Sequence, residues 1–218
     1  MQDFELFTLN YLDMYRILIL ILLTFLFGAN IQAQSSMSLS QTIDYMVVDD
    51  QYWRNLHTKI MNGETDTISI TECENQIRRI DSLHFPVIKA IFDSVGFPGY
   101  DLVGKTSSHN FWLLVQHADK HLEFQQLALS AMWTQVEKKN ANGADYAYLV
   151  DRVKVNAGEL QIYGTQMTLN ETETSFIPLP VAFPEQLDAR RKSVALPPID
   201  FYINAMNERY FGGLKNEK

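Results

Sequence analysis

Apolar residues recur at the three- and four-residue spacing of an amphipathic helix along most of the chain from residue 43 to residue 158, and this periodicity restricts the fold more than any other feature. The first apolar stripe runs from Ile43 to Ile60 and stops at Asn62-Gly63. The segment "FWLLV" at 111–115 belongs to a helix with almost no polar side, which we expect to be buried. The pattern predicts a protein built mainly from packed helices.

The second helical segment carries two local signals. Thr71 and Glu74 have the spacing of a capping box, which predicts the start of the helix. Pro86 lies inside the segment and lacks an amide N–H, so we expect a break or kink near Leu83. Two further helices are predicted over residues 122–139 and 144–158.

After Gly158 the period changes from that of a helix to that of a strand. "LQIYGTQMTL" (160–169) and "SFIPLP" (175–180), joined by the polar turn "NETET", predict an antiparallel hairpin. Residues 184–193 and 197–211 return to helix behind prolines. The expected fold class is mainly α (α+β): a multi-helix single domain over residues 34–218 with one small antiparallel β-hairpin.

An apolar leader precedes the helical region. Arg16 supplies a positive charge, Ile17 to Phe27 form an apolar run, and Ala33 provides the small residue that a signal-peptide cleavage site requires. Because a spanning helix needs about twenty apolar residues, we predict a signal peptide over residues 1–33 and an extracytoplasmic protein, periplasmic or secreted. An uncleaved N-terminal membrane anchor is the alternative. Acidic residues before Met14 favour Met14 as the translation start.

Composition and charge exclude several classes. Apolar residues make up 46% of the chain and charged residues 20%, which suffices for a core and excludes wholesale disorder. The net charge of -8 argues against a nucleic-acid partner. The single cysteine, Cys73, cannot form an intrachain disulfide. No cofactor is predicted.

The stretch "GYDLVGKT" at Gly99–Thr106 matches the phosphate-loop pattern G-x-x-x-x-G-K-[ST]. A phosphate loop follows a buried strand, whereas the preceding segment has helical spacing and ends in Pro98. Asp101 would also place a negative charge beside the phosphates. We therefore predict no nucleotide binding and interpret residues 96–104 as a loop leading into the helix that positions His117.

Polar residues follow directly on buried-looking apolar runs, where they are costly unless they bond one another or a ligand. We predict that these residues form one polar pocket, in which His117 would act as general base. Asp151 would orient His117 better than Asp119, which lies two positions away on the same helix, and Arg152 would hold an anionic group. The candidate catalytic residues are His117, Asp119 and Asp151, and the candidate ligand-binding residues are Arg152, Gln161, Tyr163, Thr165 and Gln166.

The leading functional hypothesis is therefore an exported bacterial protein with this polar pocket; if it is an enzyme, the expected reaction is hydrolysis with His117 as general base. A non-catalytic binding module for a small polar or anionic ligand is one alternative. A structural envelope protein, in which the same residues tie the helices to the hairpin, is another. Whether the protein is an enzyme stays open at this level.

The histidines do not indicate a metal site. His117 and His121 lie four apart, but Ala118 stands where zinc proteases carry a glutamate. The other three histidines have no surrounding pattern and are interpreted as incidental surface or core residues: His57, His84 and His109.

Five ordered segments, "GFPGYDLVG", "WLLVQHAD", "AYLVDRV", "QIYGTQ" and "LDARRKSVALPPIDFY", carry a family resemblance. Over Val95 to Tyr202 the chain resembles a bacterial family catalogued as domain of unknown function 6624. The resemblance implies no reaction, but it adds Arg190 to the ligand-binding candidates. It also implies an acid at the position of His121 and a variable residue at Lys105. The positions that it implies to recur are His117, Asp119, Gln125, Asp151, Arg152, Gln161, Tyr163, Gly164, Thr165, Gln166 and Arg190.

Overall fold

Two long helices begin the part of the chain that the computed structural model describes, residues 37–212. Helix α1 spans Leu39–Met61 and helix α2 spans Ile70–Val95. The first ends at the predicted Asn62-Gly63 stop, where Gly63 adopts a φ of 70° that suits glycine. The two helices pack against each other, and α1 also packs against the next helix. The leader over residues 1–33, with Met14 and Ala33, lies outside the described residues.

Two predictions for α2 are wrong in detail. Ser69, not Thr71, begins the helix, because its side-chain oxygen accepts a hydrogen bond from the Glu72 amide at 3.1 Å. The expected break near Leu83 does not occur, and the helix continues through Pro86. Proline removes a single backbone hydrogen bond, and the packing of the helix against α1 tolerates that loss.

Helix α3, Tyr100–Gln116, lies at the centre of the fold and contacts helices on both sides. Its last turns are buried as predicted, with Phe111 and Val115 fully enclosed. The segment 96–104, predicted as a loop, is partly helical, because a first turn precedes Gly104. There the backbone leaves the helix, with φ 80° and ψ 167°.

Helices α4 and α5 form a second packed pair. α4 spans Leu122–Glu137 and α5 spans Gly143–Asn156, close to the predicted ranges. The side-chain oxygen of Asn142 accepts hydrogen bonds from the amides of Ala144 and Asp145 at 2.8 and 3.3 Å, which starts α5.

The predicted hairpin is present but shorter than expected. Strands β1, Met167–Leu169, and β2, Phe176–Pro178, pair in antiparallel register, with Thr168 opposite Ile177. Residues 160–166 are not part of the strand, contrary to the prediction from alternation. The amides of Ile162, Tyr163 and Thr165 bond to a buried carboxylate, as described below, and Gln161 forms an isolated parallel bridge with Val181.

Two short helices complete the described chain. A 3-10 turn at Pro184–Gln186 leads into α6, Leu187–Ser193, and α7 spans Ile199–Phe211. α7 packs on the hairpin, where Asn207 Oδ1 accepts a hydrogen bond from the Phe176 amide at 2.7 Å. Both helices lie in the predicted segments.

The core joins helices α1 to α5 around the apolar end of α3. Among the described residues, those from Leu39 to residue 212 form one compact unit. The fold is mainly α with a small hairpin, as predicted. Within residues 37–212, no helix is long and apolar enough to span a membrane. The main cluster includes Ile43, Met46, Ile88, Phe111, Leu114, Val115, Phe124, Met132 and Leu149.

Candidate functional site

His117 lies at the C-terminal end of α3 and contacts a carboxylate from α1. Its Nδ1 is 2.9 Å from Oδ1 of Asp50. The Asp50 side chain is 1% exposed and that of His117 is 12% exposed, so the pair is buried with one edge reaching the surface. Asp50, rather than the predicted Asp151, is therefore the carboxylate that orients this imidazole.

Three further polar groups surround Asp50 and His117. Arg54 donates to Asp50 at 3.1 Å and forms an ion pair with Asp81 of α2. Gln51 donates to the other Asp50 oxygen at 2.8 Å. Burial raises the pKa of Asp50, but the hydrogen bond and charge of His117, together with Arg54, outweigh burial and hold that pKa below its usual value. Asp50 is therefore ionised at neutral pH.

A chamber of about 10 Å³ lies beside His117 on the inner side. A volume of this size holds about one water molecule. His84 of α2 lines the chamber, and its buried Nδ1 has no hydrogen-bond partner among the described residues. Burial lowers the pKa of His84, which favours the neutral ring, and burial raises the pKa of Asp81, which also lines the chamber.

A cleft of about 180 Å³ lies on the outer side of the same residues. Asp81, His117 and Ala118 line both the cleft and the chamber, so the two spaces adjoin. The cleft is also lined by Ser82, Asp119, Lys120 and His121. We name these two spaces, with Asp50, Asp81, His84 and His117, the His117 site.

Asp119, which lines the cleft, forms an ion pair with Arg152 of α5. Its carboxylate accepts from Nε of Arg152 at 2.8 Å and also contacts a second nitrogen of that guanidinium. Asn156 donates to it at 2.9 Å, and Gln125 Nε2 lies 3.2 Å away. Burial raises the pKa of Asp119, but Arg152 and these donors outweigh burial and lower it. Arg152, predicted to hold an anionic ligand, is occupied by this carboxylate.

Asp151 lies in a different environment, fully buried under the loop 161–166. Its oxygens accept hydrogen bonds from the amides of Ile162, Tyr163 and Thr165 at 2.7, 2.9 and 2.8 Å. The Thr165 hydroxyl donates to it at 2.9 Å. For these three residues the bonds to Asp151 replace the strand pairing that the sequence predicted. They make Asp151 the anchor of the loop.

The other polar residues of the loop also bond to the protein itself. Gln161 is fully buried, and it donates to the carbonyls of Gln166 and Leu179 at 3.0 and 2.6 Å. Gln166 Nε2 donates to Thr165 Oγ1 at 3.1 Å. Arg190 donates to the carbonyls of Ile162, Phe183 and Ala182. The neighbouring Arg191, which the sequence did not single out, is buried and donates to the carbonyl of Tyr163 at 2.6 Å.

The structure thus divides the predicted pocket into separate groups. His117 and Asp119 share the cleft, with Arg152 behind Asp119. Neither space at His117 is lined by Asp151, Arg152 or the residues of the loop 161–166. Within residues 37–212, no group of three histidine, cysteine or acidic side chains is arranged to hold a metal ion.

Sequence reasoning missed Asp50, Asp81 and His84. A signal was present for two of them: Asp50 lies four positions after the buried Met46, and His84 lies four positions before the buried Ile88. Both polar residues therefore fall on the inward stripe of their helices. Buried polar residues on such a stripe indicate a polar cluster at the helix interface.

The phosphate-loop pattern occupies the start of α3. The preceding segment is helix α2, as the spacing predicted. The amides of Tyr100 and Asp101 donate to the backbone and side-chain oxygens of Asn140 at 2.8 and 3.0 Å. The amide of Val103 donates to the carbonyl of Gly99 at 3.1 Å. These three amides of the pattern therefore already have partners within the chain.

Comparison with known proteins gives one match. No curated protein and no solved structure matches the chain. The matching family is described as "Family of unknown function (DUF6624)", and the match covers residues 25–216, which is most of the chain and more than the resemblance over Val95 to Tyr202. The resemblance carried by the five ordered segments is therefore confirmed, and the chain belongs to the DUF6624 family.

Proposed function

We propose that the protein is a hydrolase in which His117, oriented by Asp50, acts as general base for the attack of water on a substrate in the adjoining cleft. The 2.9 Å contact between His117 Nδ1 and Asp50 Oδ1, at a ring that borders the cleft, carries the proposal. A histidine held by a buried carboxylate beside a cleft is the arrangement that general base catalysis requires.

The charge state of Asp50 sets the tautomer of His117. An ionised carboxylate only accepts hydrogen bonds, so Nδ1 of His117 must carry the proton that it donates to Asp50. In the neutral ring the lone pair then belongs to Nε2. Nε2 takes a proton from water as the water oxygen bonds to the acyl carbon of an ester or amide. The imidazolium, stabilised by Asp50, returns the proton to the leaving group as the old bond breaks.

The chamber supplies a place for the attacking water. It has the volume of about one water molecule and is lined by polar groups of Asp81, His84 and His117. The unpaired Nδ1 of His84 offers that water a hydrogen bond. His84 is then a positioning residue for the water.

The loop 161–166 has a different role in this proposal. Its amides and side chains are bonded to Asp151, Gln161 and Arg190, so these residues fix the loop against α5 and α6. We assign them to the fold and not to the chemistry.

We also propose that the protein acts outside the cytoplasm, on the strength of the apolar run from Ile17 to Phe27 and the small residue Ala33 of the predicted cleavage site. N-terminal sequencing of the protein from its native host is expected to begin at Gln34. A sequence that retains the apolar run would favour the uncleaved anchor.

The test is a hydrolase screen with esters, amides and phosphoesters on the wild type, His117→Gln and Asp50→Asn. General base catalysis contributes about 100- to 10,000-fold, so His117→Gln is expected to lose kcat by that range. In Asp50→Asn the amide NH₂ of the new side chain favours the wrong tautomer, so kcat falls while KM changes little.

The chain offers a matched control in a second histidine–carboxylate pair. His109 lies 2.7 Å from Asp145, but its side chain is 49% exposed and lines neither space of the His117 site. His109→Gln is expected to keep wild-type activity. Equal activity of the wild type and His117→Gln, or no hydrolysis of any substrate class by the wild type, would count against the proposal and favour a binding module.

A further inference from the structure

An aromatic groove of about 580 Å³ lies between α2 and the start of α4. Its floor contains Phe85, Phe92 and Phe124, and the ring of Phe124 packs edge-on against the other two at 5.4 and 5.5 Å. Leu127 is on its wall and is 61% exposed. Ligand sites have volumes of about 300–1,000 Å³ and mostly apolar linings. The groove therefore has the size of a ligand site and an aromatic surface on which an apolar chain can pack, although Lys89, Asp93, Lys120 and Glu123 also line it.

The groove adjoins the cleft of the His117 site. Lys120 and His121 line both spaces. The His121 ring stacks on Phe85 with centroids 3.3 Å apart and an angle of 3° between the rings, so it forms the partition between cleft and groove. A molecule whose reactive end lies at His117 can therefore extend past His121 into the groove.

The junction between the two spaces carries a positive charge, and the two carboxylates that line the cleft, Asp81 and Asp119, are each paired with an arginine. Lys120 lies there and forms no ion pair with any residue that the structure describes, whereas Lys89 on the groove is paired with Asp93 at 2.6 Å. Asp93 is the first carboxylate on the groove; the second, Glu123, lies in the first turn of α4, where the helix dipole offsets about half of its charge.

From this geometry we infer that the groove binds the apolar chain of a fatty-acyl ester or amide whose acyl carbon lies in the cleft at His117. The cleavage of this substrate rests on the proposed function, whereas the binding of its apolar chain in the groove does not. Hydrolysis breaks the bond between the acyl carbon and the leaving oxygen or nitrogen. The water oxygen bonds to that carbon, the leaving group takes the proton that His117 held, and the acid product ionises beside Lys120.

Calorimetry of the full chain with the product analogue dodecanoate tests the inference. Butyrate is the control with a short chain, and dodecyltrimethylammonium is the control with a long chain and a cationic head group. All three are used below their micellar concentrations. Dodecanoate is expected to bind at least about ten-fold more tightly than butyrate, because only the long chain fills the groove. It is also expected to bind more tightly than the cationic amphiphile, and Lys120→Gln should reduce that preference.

The groove itself is tested by Leu127→Glu, with Leu102→Glu as the matched control on α3. Leu127 and Leu102 are both exposed helical leucines, at 61% and 53%, so neither change should unfold the protein. Leu127→Glu is expected to weaken dodecanoate binding about ten-fold or more and Leu102→Glu to leave it unchanged. Equal affinity for dodecanoate and butyrate, no binding of dodecanoate, or equal effects of the two substitutions would overturn the inference.

The same titration with His117→Gln separates the two proposals. This variant is expected to keep the preference for dodecanoate over butyrate, because His117 lines the cleft that holds the carboxylate and not the groove that holds the chain. Binding without hydrolysis in the substrate screen would remove the hydrolase proposal and keep the groove. Hydrolysis of short esters without dodecanoate binding would do the reverse.

Discussion

His117 Nδ1 and Asp50 Oδ1 lie 2.9 Å apart and join the end of α3 to the middle of α1 across 67 residues of sequence. The contact places an ionised carboxylate inside the helix interface, where an isolated charge would be unfavourable. Arg54 and Gln51 complete its hydrogen bonds, and Arg54 extends the cluster to Asp81 on α2. The cluster thus connects three helices and presents one ring edge to the cleft.

The first prediction concerns the pH dependence of stability at Asp50. Its native pKa lies below the usual value near 3.8, so its ionised form stabilises the native state fully above about pH 4 and loses that contribution as the pH falls through the native pKa. Asp50→Asn is expected to lower the free energy of unfolding by about 1–3 kcal/mol at pH 7. Urea denaturation from pH 7 to pH 2.5 should show this difference shrinking below about pH 4. A difference independent of pH would contradict the assigned interaction.

The second prediction sets His84 against His109, whose pKa values shift in opposite directions. Burial lowers the pKa of His84, so acidification below about pH 6.5 destabilises the native state through this residue. The hydrogen bond to Asp145 raises the pKa of His109, so its contribution is present below about pH 6.5 and lost as the pH rises through its native pKa.

Melting curves between pH 5 and pH 8.5 measure both effects. On acidification, His84→Leu should lose less thermal stability than the wild type, and His109→Gln should lose more. The effect at His109 should be the smaller one, because its exposed ring is screened by solvent. The same slope in all three proteins would contradict both assignments.

The helices could be predicted because the apolar stripe is a local property of the sequence. Ile43 and Met46 mark the inward face of α1, and "FWLLV" marks the centre of the core. Asp50 shares the stripe of Ile43 and Met46, but which residue it meets depends on how α1 crosses α3. That crossing is set by tertiary packing, which the spacing of one helix does not contain.

The error at residues 160–166 has a different physical cause. Alternation of apolar and polar residues predicts a strand only if the backbone amides bond to another strand. Here Asp151, at the end of an apolar helical run, accepts the amides of Ile162, Tyr163 and Thr165. A side chain that takes the place of a strand partner leaves the sequence pattern unchanged. The same side chain nevertheless turns the expected strand into an anchored loop.

The third prediction tests that anchor. Asp151→Ala leaves three amides and one hydroxyl without their acceptor, so we expect a loss of about 3–5 kcal/mol in the free energy of unfolding. Hydrogen exchange of the Ile162, Tyr163 and Thr165 amides should accelerate. Asp93→Ala, which removes an exposed ion pair with Lys89, is the control and should change stability by less than about 0.5 kcal/mol. Unchanged exchange in Asp151→Ala would mean that the loop is held by other contacts.

The last prediction concerns the phosphate-loop pattern and its first glycine. A Cβ on Gly99 would lie 2.1 Å from the side-chain nitrogen of Asn140, the residue whose oxygens accept the amides of Tyr100 and Asp101. Gly99 is therefore required for this close approach, and Gly99→Ala is expected to lower the melting temperature by displacing Asn140. Asn140→Ala should lower it as well, because it removes the side-chain oxygen that accepts the Asp101 amide. Millimolar MgATP is expected to leave the melting temperature of the wild type and of Lys105→Ala unchanged, since the amides of Tyr100, Asp101 and Val103 are already bonded within the chain. Stabilisation of the wild type by MgATP that Lys105→Ala abolishes would instead show a working phosphate loop.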